Sequence, residues 1–133
     1  MSSGFYEEPL PCGGKLKVQQ ESWEIKYYFP GPDLRHSGLF VVVPGAQVDS
    51  YISAFRQNWE DFEHLKSYIP AGGEFVKEGR MGMMIRIGKF SQGVCIKSYH
   101  MPISSKSHLE SVISSYNHAS ERAKTIQKFL AHL

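Results

Sequence analysis

Residues 39–62 read LFVVVPGAQVDSYISAFRQNWEDF, and the change of hydrophobic period inside this stretch decides the fold. Leu39 to Val43 is short, continuous and β-branched, the pattern of a central strand buried on both faces. Pro44 and Gly45 stop it. From there Val48, Tyr51, Ile52, Phe55, Trp59, Phe62 and Ile69 recur at steps of three, four and seven. That spacing predicts an amphipathic helix of about five to six turns at ~3.6 residues per turn. Pro70 and the pair Gly72-Gly73 end it.

Upstream, residues 1–14 read as an irregular arm, because Pro9, Pro11, Gly13 and Gly14 interrupt any regular element. Lys15 to Gln20 then alternates. Trp23 to Phe29 alternates more clearly, with Trp23, Ile25, Tyr27 and Phe29 on one face and Glu24, Lys26 and Tyr28 on the other. Gln20-Glu21-Ser22 supplies the turn between them. Pro30-Gly31-Pro32-Asp33 closes the second strand, since proline cannot donate to a ladder.

Downstream, Glu74 to Lys77 and Arg80 to Lys89 read as strands joined at Glu78-Gly79. Met81, Met83, Ile85 and Ile87 share one face of the second, and Gly82, Met84, Arg86 and Gly88 the other. Val94 to Met101 follows with an imperfect period. Val94 and Ile96 suit a core face, Cys95, Lys97, Tyr99 and Met101 lie opposite, and a bulge near Ser98 is needed for full burial. Ser107 followed by Glu110 reads as a capping box. It precedes a helix through Leu109, Val112, Ile113, Tyr116, Ala119, Ala123, Ile126 and Leu130.

The element order is ββ-β-α-ββ-α. It predicts an α+β domain over residues 15–133, an antiparallel sheet of about five to six strands with two long helices on one face. This order resembles the PsbP-like architecture and, less closely, secretion-chaperone folds. No sequence motif of either is present, so the resemblance concerns topology and implies neither residue roles nor an activity.

A chain of 133 residues with 41% hydrophobic and 21% charged side chains supports one core and argues against disorder. The net charge of +2 is too small to imply nucleic acid. It is uneven: residues 1–72 hold 6 Lys/Arg against 9 Asp/Glu, and residues 73–133 hold 9 against 4. Cys12 and Cys95 are too few for a disulfide-stapled secreted domain, which points to a reducing cytoplasm. The first residues lack the basic and apolar regions of a signal peptide. The longest apolar run falls far short of the ~20 residues that span a bilayer, so no membrane partner is expected.

Motifs for chemistry are thin. Cys95 and His100 are five apart in one predicted strand and point to opposite faces, which argues against a nucleophilic dyad. Asp61/His64 and His118/Glu121 have i, i+3 spacing but lie off the apolar stripes, where solvated faces explain them better than a metal. Gly72-Gly73, Gly79–Gly82 and Ser104–Ser107 match no phosphate-binding pattern, although the last precedes a helix N-terminus. No catalytic residue, metal or cofactor is expected, and the balance leans away from an enzyme.

One constellation remains. If both helices cover the Trp23/Ile25/Tyr27 and Met83/Ile85/Ile87 face, the opposite face carries Lys26, Tyr28, Met84, Arg86, Lys97, Tyr99 and Met101, with Cys95 among them. Such a mixture of aromatic, methionine and cationic side chains suits a homodimer or partner interface. One alternative is a small anionic molecule, or a small enzyme's substrate, in a pocket between the 30–38 loop and the sheet, with Arg35, His36 and His100 nearby. Single-stranded nucleic acid stacked on Tyr28 and Tyr99 is the lesser alternative.

Overall fold

The computed structural model describes residues 4–29, 39–89, 91–96 and 102–133, and the side chains of Tyr28, Phe29, Leu39 and Phe40 are outside that description. Its seven strands form two antiparallel sheets, of four and three strands, rather than the one sheet expected. The chain divides into two compact units. One holds residues 1–48 and 114–133, the other residues 49–113.

The first unit carries β1 (Tyr6–Pro9), β2 (Lys15–Val18), β3 (Trp23–Phe29) and β4 (Leu39–Pro44), neighbours in that order. The expected irregular arm therefore contains a strand, with Tyr6 opposite Val18 and Glu8 opposite Leu16. Its turn formers mark a hairpin. Gly13 and Gly14 have φ of 92° and 81°, and Leu10 N–H donates to the Gly14 carbonyl at 3.0 Å. Pro9 is tolerated because β1 is an edge strand ending there. The β2–β3 turn falls where expected, closed by Gln19 N–H donating to Ser22 O at 2.8 Å.

β4 corrects a second expectation. Among the described residues it stands at the end of its sheet's order, paired with β3 alone. Val43 is buried, while Val41 and Val42 are half-buried. A β-branched run reports how far a strand's faces are covered, not how many strands flank it.

Leu16, Val18, Ile25, Tyr27 and Val43 lie on one face and are buried. In the same unit the second helix, α2 (Lys106–Ala131), buries Tyr116, Ala119, Ala123 and Ile126 at helical spacing. Tyr27 Oη donates to Tyr116 Oη at 2.6 Å, which ties sheet to helix. Gln127 Nε2 adds a bond to Gln19 O at 3.3 Å.

The second unit begins with α1 (Val48–Tyr68), which realises the predicted helix. Tyr51, Phe55, Trp59 and Phe62 are buried, whereas Ile52 and Ile69 are only half-buried. The three-stranded sheet follows: β5 (Phe75–Glu78), β6 (Met84–Ile87) and β7 (Gly93–Cys95). Arg80 to Gly82 is a 3-10 turn rather than part of a long strand. An isolated bridge joins Val94 to Ile103. The first turns of α2 belong to this unit, where Arg56 Nη1 meets Glu110 Oε1 at 3.2 Å. The N-cap of α2 is Ser105, whose Oγ accepts from His108 N–H at 3.1 Å, and not Ser107. Ser107 alone has the capping-box spacing to Glu110, but it lies inside the helix, and the cap falls to the serine just outside it. No helix among the described residues is long and apolar enough to cross a membrane.

Candidate functional site

The seven expected surface residues do not share a single sheet. Lys26 and Tyr28 belong to β3 in the four-stranded sheet, and Met84 and Arg86 to β6 in the three-stranded one. Lys97, Tyr99 and Met101 lie outside the described residues, as do Arg35, His36 and His100 and the expected bulge near Ser98. The four described residues thus fall on two sheets, two on each. Pairing between distant strands follows from contacts that a strand's own period does not encode.

On the four-stranded sheet the face away from Leu16 and Ile25 is charged, its residues half-buried or exposed. Its register runs Glu7–Lys17–Glu24 across three strands, alternating in sign, and Pro9–Lys15–Lys26–Val42 beside it. Cross-strand opposite charges stabilise such a row modestly. Lys17 Nζ also sits 4.7 Å from the Phe5 ring centroid. Lys26 is half-buried and opposite Lys15. At one end of this sheet Tyr6 Oη donates to Glu8 Oε2 at 3.1 Å, and Arg122 Nε donates to Glu8 Oε1 at 2.8 Å. Arg122 Nη2 also donates to Tyr6 Oη at 3.4 Å. These bonds fasten β1 to α2, and the two that Arg122 makes hold its guanidinium above its ordinary pKa, the one to Tyr6 contributing most.

The three-stranded sheet differs. On its inner face Met83, Ile85, Ile87 and Val94 are buried, while Phe75 and Lys77 of β5 are half-buried and exposed. Its outer face carries Val76 opposite Arg86, Glu78 opposite Met84, and Met84 opposite Cys95. Val76 is 54% exposed, an unusual position for a valine, and Met84 and Arg86 are half-buried beside it. Cys95 is 1% exposed. Burial pushes its thiol pKa up, with the charge and hydrogen bond of Arg86 opposing this in part. Cys95 is therefore a protonated, inert thiol near neutral pH.

Sequence reading missed the device that fixes this sheet. Asn58 is fully buried in α1. Its Oδ1 accepts from Arg80 N–H at 2.9 Å, and its Nδ2 donates to Arg80 O at 3.1 Å and lies 3.2 Å from Met83 Sδ. The amide thus pairs with Arg80 as a neighbouring strand would. It holds a turn in which Met81 takes φ 58°, a left-handed conformation that L side chains adopt at a cost. The signal was present: Tyr51, Phe55, Asn58 and Phe62 keep the four-three-four step of one buried stripe.

Two hollows flank the end of this unit. One of about 390 Å³ has Ile69 and Ile87 in its lining, with Lys66, Gly73 and Lys89. The other, about 340 Å³, shares Gly88, Lys89 and Gln92 and adds Ser91 and Ser104. Their size is that of small-molecule sites. The metal pairs considered above have other partners or company: Glu121 Oε1 is 3.9 Å from Lys124 Nζ, and His64 packs edge-on to Tyr68 at 5.1 Å. Among the described residues no three His, Cys, Asp or Glu side chains converge.

Compared with protein-family models, curated proteins and solved structures, the chain shows no match to any of them.

Proposed function

We propose that this chain is an assembly module, and that its contact surface is the part of the three-stranded sheet's outer face formed by β5 and β6, since β7 is buried. The exposed Val76 beside Met84 carries this reading. Each Å² of apolar surface buried by a partner contributes about 25 cal/mol, so a valine and a methionine at the centre of a contact matter. Arg86 and Glu78 at the same place supply charges that select and orient the partner. Lys26 and Tyr28 belong to the other sheet.

Native mass spectrometry of the purified chain tests the reading, with Val76→Glu/Met84→Glu as comparison. The expected result is a mass above the monomer that the double variant loses while its far-UV circular dichroism is unchanged. A monomeric wild-type chain, or an oligomer that survives both substitutions, removes the reading.

The hollow at Ile69 and Ile87 favours a second reading, a small organic anion held by Lys66 and Lys89. Titration with octanoate, followed by NMR at residues 66–73 and 87–89, should then shift those amides and saturate. Shifts that do not saturate reject it.

A further inference from the structure

The four outward residues of β5 and β6 form a checkerboard, and its pattern defines a partner. Val76 is opposite Arg86 and Glu78 is opposite Met84. Directly opposed residues of an antiparallel pair share a face, and so do residues two apart in one strand. The four therefore occupy the corners of one cell of the sheet. The apolar pair, Val76 and Met84, lies on one diagonal, and the opposite charges, Glu78 and Arg86, on the other. All four are exposed or half-buried.

From this pattern we infer that the partner is a second copy of the chain, laid face to face about a two-fold axis that runs along the apolar diagonal. The inference rests on the assembly reading above and adds which partner and which orientation. A two-fold contact must be self-complementary. With the axis along the apolar diagonal, Val76 meets the partner's Val76 and Met84 meets the partner's Met84. Glu78 then faces the partner's Arg86, and the same ion pair recurs by symmetry. With the axis along the charged diagonal, carboxylate would meet carboxylate and guanidinium would meet guanidinium. Like-charge contacts of that kind reject the wrong arrangement.

The guanidinium of Arg86 has five N–H donors in a planar fork, enough to keep its hydrogen bond to Cys95 and accept a carboxylate as well. A standard interface buries about 800 Å² per partner, so this cell is the centre of the contact and not its whole extent. A two-fold contact also closes on itself, so the assembly stops at a dimer.

Complementary charge reversal tests the arrangement. Glu78→Arg places two arginines opposite each other in a homodimer, and Arg86→Glu places two glutamates opposite each other. Each variant alone should dimerise at least about tenfold more weakly than wild type. Mixed in equal amounts they should form a heterodimer, identified by its mass, with affinity within about threefold of wild type, because every charge again meets its opposite. Glu78→Gln is the control that leaves Arg86 and Cys95 untouched. It should keep a dimer whose affinity no longer falls steeply with salt.

A mixture with no heterodimer, reversals that dimerise as wild type does, Glu78→Gln with unchanged salt dependence, or a wild-type mass other than a dimer each overturns the inference. If Val76→Glu/Met84→Glu abolishes association while the reversals leave it intact, the contact face stands and the two-fold arrangement falls.

Discussion

The two sheets of this chain are alike in construction and opposite in what they leave outside. Each has one face on which apolar side chains are buried. The four-stranded sheet turns outward a row of alternating charge, Glu7–Lys17–Glu24, that neighbours within the same sheet can satisfy. The three-stranded sheet turns outward a valine, a methionine and two opposite charges set diagonally. The first pattern needs only water. The second leaves apolar surface open, and there we propose that a second copy docks. A sheet face is adhesive or idle according to how its charges lie relative to its apolar positions, and net charge carries little of that information.

The means of closure differ too. The four-stranded sheet is tied to α2 by side chains reaching side chains, Tyr27 to Tyr116 and Glu8 to Arg122. In the other unit one buried amide grips the backbone of a turn. Backbone groups cannot move away when a neighbour changes, so substitutions in the three-stranded unit should cost more.

Gly93→Ala should have the largest effect. A Cβ at Gly93, where φ is 135°, would collide with the Ile103 carbonyl that serves the Val94 bridge. Urea unfolding should show a loss of about 3 kcal/mol or more, or no folded protein. Asn58→Ala should follow at about 2–3 kcal/mol, since it removes both bonds to Arg80 and opens a void behind Met83. Tyr116→Phe, in the other unit, should cost only about 1 kcal/mol, the net worth of one buried hydrogen bond. If it costs as much as Asn58→Ala, the contrast between the two modes of closure is wrong.

Cys95 supplies a pH signature for the three-stranded sheet. Its folded pKa lies above the ordinary value of about 9.0, so the native chain binds a proton that the unfolded chain releases. This contribution is fully present below pH 9 and is lost as the pH rises from there towards the folded pKa. Thermal unfolding should show the loss above pH 9, and Cys95→Ala should remove it. A midpoint that declines identically in both chains contradicts the assignment. The smallest effect belongs to the idle face. Lys26→Ala should leave association unchanged and stability within about 0.5 kcal/mol, and loss of the oligomer in that variant would move the contact to the four-stranded sheet.

Much of the fold was legible in the chain. The step of three and four from Val48 to Phe62 set α1, the alternation at Met83, Ile85 and Ile87 set the buried positions of one strand, and Gln20-Glu21-Ser22 set a hairpin. Less of the site was. Met84 and Arg86 share a face because alternation is local. Their neighbours Val76 and Glu78 were invisible as partners, because cross-strand register depends on where a turn falls. The turn at Arg80–Gly82 is fixed by Asn58 from another element. The choice of Ser105 over Ser107 as cap also waited on the backbone.

By itself, then, the sequence determined the two long helices, most of the strands and the buried stripe of each helix, since these follow from the period of neighbouring side chains, while β1 and the turn at Arg80–Gly82 did not follow from it. Only the tertiary structure decided that the strands make two sheets, that β4 ends its sheet, and that Val76, Glu78, Met84 and Arg86 meet in one cell. Those facts depend on pairings between residues far apart in the chain, whose contact free energies no local window contains.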